Sequence, residues 1–308
     1  MNRTALSVAL ALALGSVGAP VSAATPPPAP PCEVTNTRTT TMVGSLATAV
    51  SAATAGDTLE VSGVCRNVAV TIDRDLTLVG VRSGSYLRGV LTGRGKDSVL
   101  RIASGKTVRL ELLRISGGRG TNRNSGGGIT NAGTLTLDRT TVRRNVAIFG
   151  GGIQTTGPVT LIDSVVAGNL ATDFGGGLAV NAAGSVALQG ASELRSNTAT
   201  NGAGAWVAGS ISLADDVTVF YNRAYRRADS PWQTNYPFAG YGGAIFLEGS
   251  ISITGSAYIT LNEAQSRAGA IYWSNLNIIS AYCDSPFTEL NPTKNGGGDM
   301  CIKGTAKS

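Results

Sequence analysis

The chain has 308 residues, of which 41 are glycine and none is histidine, and aromatic residues make up only 6%. Without histidine, a Ser-His-Asp triad and histidine acid–base catalysis are excluded, and a zinc site is disfavoured. The formal net charge is +6, and it becomes +5 once a signal segment containing Arg3 is removed (24 Lys and Arg against 19 Asp and Glu).

Residues 1–23 predict a secretory signal peptide. Arg3 supplies the positive start, Ala5 to Leu14 form the apolar segment, and Val21-Ser22-Ala23 is a small-residue cleavage site. The apolar segment is too short to span a bilayer, so no transmembrane segment is predicted. Residues 24–44 follow as a proline-rich leader and N-terminal segment. We therefore expect a protein that is secreted, periplasmic or at the cell surface.

Four cysteines in an exported chain indicate two disulfides. Cys32 and Cys65 flank the start of the mature domain, and Cys283 and Cys301 flank its end. We expect one disulfide at each end, although four cysteines permit three pairings. Neither pair has the spacing of metal ligands, and no metal site is predicted.

Residues 45–55 have apolar side chains at helical spacing and predict a helix that ends at Gly56. Short runs follow in which an apolar residue alternates with Thr, Ser or Arg, separated by turn residues. About three such strands per repeat of about 24 residues predict an all-β fold, a single-stranded right-handed parallel β-helix. We expect about nine to ten coils over residues 45–281, with the helix capping the N-terminal end and residues 282–308 forming a C-terminal cap and tail.

Two parts of the repeat recur along this chain. A Gly-Gly or Gly-Ala pair precedes an inward apolar residue (Ile, Leu or Trp206), and the glycines permit a corner where a Cβ would clash with the next coil. An apolar-x-x-Asn group follows. Its asparagines predict a structural ladder between coils, with a ligand-binding row as the alternative. They are Asn145, Asn169, Asn197, Asn222 and Asn262.

These repeats resemble those of the polymorphic outer membrane proteins, which carry Gly-Gly-Ala-Ile and Phe-x-x-Asn units. The closest matches here are Gly242-Gly243-Ala244-Ile245 and, with an aliphatic residue in place of Phe, Val142-Arg-Arg-Asn145. The segment from Leu46 to Gly80 also resembles the start of pectin-lyase-like β-helices. The resemblance implies an envelope-associated or secreted protein, often in adhesion. We expect no membrane barrel after the repeats and therefore no anchoring by that means.

One insertion breaks the period between Asn222 and the next glycine pair, and it runs from Arg223 to Tyr241. Loops expelled from a regular solenoid often carry binding function. Guanidinium groups beside aromatic rings suit a glycan with carboxylates or an acidic partner. The alternative is a loop that packs on its own rings. The candidate binding residues are Arg223, Arg226, Arg227, Trp232, Tyr236 and Tyr241.

The positive charge is concentrated between Arg66 and Arg144, where 15 basic residues stand against five acidic ones. Such a basic half attracts anionic polymers. Alternatively, the arginines occupy outward strand positions for solubility and to protect sheet edges.

We therefore expect a secreted or envelope-associated protein that binds a glycan or another surface component through the 223–241 loop or the basic half. The alternative is a polysaccharide lyase or glycoside hydrolase acting on an acidic polysaccharide, with calcium only in the lyase case. No other cofactor, no catalytic residue and no specific nucleic-acid partner is predicted, and an oligomeric state is not indicated.

The residues considered for the enzymatic alternative are Arg226, Arg227, Asp215, Asp216 and Asp229. Asp215 and Asp216 are the only adjacent acidic pair. Their place before the last strand of a coil, like that of Asp138-Arg139 and Asp163-Ser164, favours a role in the turn.

Overall fold

The computed structural model describes residues 28–83, 88–225, 240–265 and 269–273. They form a right-handed parallel β-helix, so the predicted fold class is confirmed. Two of its sheets contain eight strands each, and these eight levels make about seven turns. Nine to ten coils is therefore too high for this part of the chain. The reason is that several coils exceed the 24-residue repeat; β6 begins at Leu76 and β9 at Thr107, 31 residues later.

The chain winds through four sheets, labelled I to IV in the order in which one coil visits them. Sheet I contains β1 Glu33–Asn36, β2 Met42–Val43, β3 Asp57–Ser62, β6 Leu76–Gly80, β9 Thr107–Glu111, β12 Thr134–Asp138, β16 Pro158–Ile162, β20 Ser185–Gln189, β24 Ser210–Leu213 and β28 Ser250–Ile253. Sheet II contains β4 Val64–Val68, β7 Gly89–Gly93, β10 Leu113–Ser116, β13 Thr141–Arg143, β17 Val165–Ala167, β21 Glu193–Arg195, β25 Thr218–Phe220 and β29 Tyr258–Thr260.

Sheet III is the short one and contains β14 Val146–Phe149, β18 Leu170–Phe174, β22 Thr198–Ala199, β26 Arg223–Ala224 and β30 Glu263–Ala264. Sheet IV contains β5 Val70–Ile72, β8 Leu100–Ile102, β11 Ile129–Asn131, β15 Ile153–Thr155, β19 Leu178–Val180, β23 Ala205–Val207, β27 Ile245–Leu247 and β31 Ile271–Trp273.

Sheet III corrects the prediction of three strands per coil, because coils from Val146 onward have four. Each ladder asparagine is followed by an x-Ala pair whose alanine is buried, and the small side chain lets sheet III pack closely on the coil. This Asn-x-Ala repeat was visible in the sequence and marks the fourth strand. The alanines are Ala147, Ala171, Ala199, Ala224 and Ala264.

The core is built from residues that stack on their counterparts in neighbouring coils. In sheet I, Leu161 of β16 pairs with Leu137 of β12 and Leu188 of β20, and all three are fully buried. Because successive side chains of a strand point to opposite faces, the residues next to each of these leucines in its strand point to solvent. The whole column, read from the N-terminal end, is Leu59, Leu78, Leu110, Leu137, Leu161, Leu188, Leu213 and Ile253.

Helix α1, Leu46–Ala52, covers the N-terminal end of the core, as predicted for residues 45–55. The Ser45 hydroxyl accepts a hydrogen bond from the Thr48 amide at the N-cap, and Leu46, Ala49 and Val50 are buried. The helix packs against β1, β2, β4 and β5. It therefore shields the first coil from water.

The N-terminal segment also contains a β-hairpin that the prediction for residues 24–44 missed. Strands β1 and β2 pair antiparallel with each other, and β1 pairs antiparallel with β3 of the first coil. This arrangement covers the edge of β3 and leaves the two-residue strand β2 as the end of sheet I. The disulfide between Cys32 and Cys65 joins the segment to the first coil, as predicted.

Among residues 28–83, 88–225, 240–265 and 269–273, no helix has the length and hydropathy needed to cross a bilayer. Several predictions fall outside these residues. They are the signal peptide 1–23, the C-terminal segment 282–308, the cysteines Cys283 and Cys301, and the loop residues Arg226, Arg227, Asp229, Trp232 and Tyr236.

Candidate ligand-binding surfaces

The five repeat asparagines form a hydrogen-bonded ladder inside the protein. The Asn169 Oδ1 atom accepts from the backbone N and from Nδ2 of Asn145, both at 3.1 Å. Its Nδ2 donates to the Val142 carbonyl and to Asn197 Oδ1, both at 3.0 Å. Asn197 and Asn222 repeat these contacts, and at the two ends of the ladder Asn145 Oδ1 accepts from the Gly118 amide and Asn262 Nδ2 donates to the Val219 and Thr260 carbonyls. None of the five asparagines is more than 1% exposed. Their polar atoms are satisfied within the coil, so they do not form a ligand-binding row.

Asp215 and Asp216 lie in an exposed turn between sheets I and II. Asp215 has a φ of 58°, and Arg139 and Asp163 have left-handed φ values at the same point of their coils. Asp215 Oδ2 accepts a hydrogen bond from the Gly190 amide at 3.3 Å. These contacts agree with a role in the turn. The equivalent of Asp215 is Arg139 rather than Asp138, because Asp138 pairs with Ile162 inside the strand.

The described ends of the 223–241 loop belong to regular coils. Arg223 pairs with Thr198 and Glu263 in sheet III, forms a 3.2 Å ion pair with Glu263, and stacks over the Tyr225 ring at 5.7 Å. Tyr241 forms a parallel β-bridge with Asn201, so Tyr241 already belongs to the regular coil. The insertion therefore lies between Tyr225 and Gly240 and is shorter than predicted.

Trp206 points outward, contrary to the prediction that it stacks in the core. Ala205 pairs with Leu178 on one side and Ile245 on the other, and it is fully buried, so Ala205 occupies the inward position. The corner of this coil is Gly202-Ala203-Gly204, one residue earlier than the Gly-Ala-Trp reading of the sequence. A shift of one residue moves a strand side chain to the opposite face.

Outward Trp206 belongs to a cluster of rings that we call the aromatic corner, between sheets III and IV. Its ring centre lies 5.7 Å from those of Phe149 and Phe174, and Phe246 lies 5.9 Å from Phe174. The Arg123 guanidinium is 5.6 Å from the centre of the Phe149 ring, within cation–π range. The cluster consists of Phe149, Phe174, Trp206, Tyr241, Phe246 and Tyr272.

Asp173 is a buried acid beside the aromatic corner. It is 4% exposed, and its Oδ2 atom has no hydrogen-bond partner among the described residues. Burial raises the pKa of Asp173 to about 6, and the positive charge of Arg123 opposes that rise.

A second surface, the arginine face, lies on the outer side of sheet II. Ala167 pairs with Arg143 on one side and Arg195 on the other, so the Cα atoms of the two arginines are about 10 Å apart and only the Ala167 methyl group lies between them. Burial lowers the pKa of Arg143, and the nearby charges of Arg144, Arg114 and Arg195 lower it further. The face is defined by Arg114, Arg143, Arg144 and Arg195.

Aromatic rings continue the arginine face toward the C-terminal end. Phe220 pairs with Arg195 in the next coil, and the Arg195 guanidinium lies 6.0 Å from its ring centre. Tyr221 packs edge-on against Phe220 at 5.3 Å and is 56% exposed. Cations and rings therefore follow one another along a single column.

Arginines on sheet I are paired with acids instead. Arg109 and Arg139 both contact Glu111 and Asp138, which forms a four-residue ion-pair network. The interpretation that outward arginines serve solubility fits sheet I. On sheet II, Arg195 is likewise paired, with its Nε 2.6 Å from Glu193 Oε2. The described residues show no ion pair of Arg114, Arg143 or Arg144, and the solubility interpretation does not account for that like-charged group.

The arginine face could have been found in the sequence. Arg143 and Arg195 occupy the same position of the apolar-x-x-Asn group, directly after Val142 and Leu194. The aromatic corner could not, because it joins Arg123 to rings from different coils.

Among the described residues, no group of three or more Cys, Asp or Glu side chains is placed to hold a metal ion. No protein-family model, curated protein or solved structure was found to match the chain.

Proposed function

We propose that this protein is a secreted or envelope-associated β-helix that binds an anionic glycan on the arginine face. The observation that carries the proposal is the position of Arg143 among three other arginines. Burial is the main cause of the lowered pKa of Arg143, and repulsion by the charges of Arg144, Arg114 and Arg195 lowers it further. A carboxylate or sulfate bound between them relieves the repulsion.

The chemistry of the face suits a charged sugar polymer. A guanidinium group offers a planar pair of donors that matches the two oxygens of a carboxylate. The rings of Phe220 and Tyr221 add apolar surface for the C–H faces of sugars. The predicted signal peptide supports an extracellular ligand, and the resemblance to adhesive repeat proteins is consistent with binding rather than catalysis.

The proposal is tested by measuring binding of the mature protein to immobilised alginate, polygalacturonate and heparin, with dextran as the uncharged polymer. We expect binding to at least one anionic polymer that weakens steeply with salt. The Arg114→Gln/Arg143→Gln chain should bind at least about tenfold more weakly, and the slope of log K against log salt should fall by roughly one to two.

The matched control is the Arg74→Gln/Arg94→Gln chain, which loses the same charge from arginines already paired with Asp73 and Asp97. It should bind almost as well as the unaltered protein. Equal losses in the two double variants would show that only net charge matters. Binding to all anionic polymers no better than to dextran would reject the proposal.

The lyase or hydrolase alternative has no specific support from the described residues. Asp215 lies in a turn and accepts a hydrogen bond from the Gly190 amide. Arg226, Arg227 and Asp229 lie outside the described residues. The same polymers, assayed with and without calcium for new reducing or unsaturated ends, test that alternative directly.

A further inference from the structure

Strand β18 carries one residue more than its neighbours in sheet III. Ala171 pairs with Ala147 and Phe174 with Phe149, so Thr172 and Asp173 together face Ile148 alone. On the other side, Leu170 pairs with Thr198 and Phe174 with Asn201, and the extra residue is again in β18. This is a β-bulge, a feature that re-aims side chains and is over-represented next to active sites.

The coil does not require this residue to close. Both neighbouring coils make the same passage with one residue fewer and keep the same pairing on either side of it. Asp173 adds a buried carboxyl group whose Oδ2 has no partner among the described residues, which is unfavourable for folding. A costly and dispensable residue is typical of a functional site.

A second unsatisfied acceptor lies in the same region. Gln154 is 2% exposed, and its Nε2 donates to the Arg123 carbonyl at 2.6 Å. Its Oε1 has no hydrogen-bond partner among the described residues. Asp173 Oδ2 and Gln154 Oε1 are therefore two buried acceptors near Arg123, and hydroxyl groups can donate hydrogen bonds to both.

The rings beside these acceptors provide apolar surface. Phe149 and Trp206 are only partly buried, whereas Phe174 is 6% exposed and packs beneath them. Aromatic faces bind the C–H surface of sugar rings through apolar contact.

We propose that the aromatic corner is a second binding site, which takes a neutral sugar ring with vicinal hydroxyl groups. Asp173 and Gln154 accept hydrogen bonds from the hydroxyls, and the rings of Phe149 and Trp206 contact the sugar. The site is separate from the arginine face, since it lies on the outer side of sheets III and IV rather than sheet II.

The charges at this corner do not select an ion of one sign. Arg123 and Asp173 carry opposite charges, so the attraction of an ion to one of them is offset by its repulsion from the other. A hydroxyl group can donate to one of these residues and accept from the other.

The experiment uses saturation-transfer NMR on the full mature chain with cellopentaose, maltopentaose and mannopentaose as neutral probes, and trigalacturonate as the charged one. We expect transfer to the ring protons of at least one neutral probe. Deletion of Asp173, which gives β18 the length of its neighbours, should leave a folded protein at least as resistant to heat. Both the deletion and Asp173→Asn should weaken binding at least about tenfold.

Glu60→Gln is the control, because it changes an exposed acid on sheet I in the same way and should leave neutral-sugar binding unchanged. No transfer to any neutral probe, or unchanged binding by the Asp173→Asn chain, would overturn the proposal. A deletion chain that fails to fold would contradict the claim that the coil does not need Asp173. Binding of alginate or heparin is measured separately, so failure here does not bear on the arginine face.

Discussion

At the residue scale, the asparagine ladder shows how one side chain connects three coils. Asn197 accepts hydrogen bonds from the backbone N and Nδ2 of Asn169 and donates to the Val166 carbonyl and to Asn222 Oδ1. All four contacts are buried, where an unmade hydrogen bond is expensive. A hydroxyl ladder of Thr140, Ser164 and Ser192 does the same work at the corner between sheets I and II.

Replacing Asn197 with alanine should therefore destabilise the protein by roughly 3–5 kcal/mol, since several buried donors and acceptors lose their partners together. Urea unfolding followed by circular dichroism measures the change. Asn124→Ala is the control, because Asn124 is exposed and lies outside the ladder. A loss at Asn197 no greater than that at Asn124 would mean that the ladder does not contribute to stability.

Asp173 should make stability depend on pH in a defined window. Its pKa is raised from 3.8 to about 6, so the folded protein holds a proton that the unfolded chain releases. The free energy of unfolding should therefore fall as pH rises from about 4 to about 6 and stay lower above that, by roughly 2–3 kcal/mol.

Asp173→Asn removes this titration, and its stability relative to the unaltered protein should rise across the same window. The quantity to measure is the difference in urea unfolding free energy between the two chains from about pH 4 to about pH 8. Taking the difference cancels the contributions of other groups, including Asp57, whose pKa Arg38, the Thr54 amide and Asn36 hold well below its usual range. A difference that does not change with pH would contradict the assignment.

At the element scale, the N-terminal cap is assembled from three parts. Hairpin β1–β2 covers the edge of sheet I, helix α1 covers the open end of the core, and the Cys32–Cys65 disulfide joins the hairpin segment to β4. The disulfide closes a loop of 33 residues. Because the chain is otherwise held to the first coil by a few short strands, this bond limits local opening.

A Cys32→Ser/Cys65→Ser chain should lose about 3–4 kcal/mol of stability by loop-closure entropy. Guanidinium unfolding under oxidising conditions measures this loss. Hydrogen exchange should show the greatest loss of protection in β1, β2 and α1, with little change in β16 and β20. A uniform loss through all coils would show that the cap and the body unfold as one unit.

At the scale of the whole molecule, the winding sorts one sequence into faces with different chemistry. Residues that are neighbours in sequence, such as Arg139 and Arg143, end up on different surfaces, one in an ion-pair network and the other in the arginine face. The net charge of the basic half therefore understates the contrast between sheets I and II. Steering of an anionic polymer depends on this local density of charge rather than on the total.

Local patterns in the sequence determined the solenoid, the capping helix and the asparagine ladder. Each depends on a short-range rule: alternation along a strand, spacing along a helix, or recurrence of Asn169 and its counterparts at the same point of a coil. The Cys32–Cys65 disulfide was expected from the export signal and the position of the cysteines, and the structure decided its pairing. The Asn-x-Ala repeat also marks the fourth strand of each coil from Val146 onward. The signal peptide and the central part of the 223–241 loop remain predictions.

Only the tertiary structure decided which face each outward residue occupies. Trp206 lies outside because its coil turns one residue earlier than the glycine pattern indicates, and the buried Asp173 lies in the bulge of β18. Arg123, Gln154 and Asp173 come from three coils, and they lie close together only when the strands of all three coils are in the correct register. A single-residue shift reverses the face of a strand residue, so sequence spacing alone does not place these side chains together.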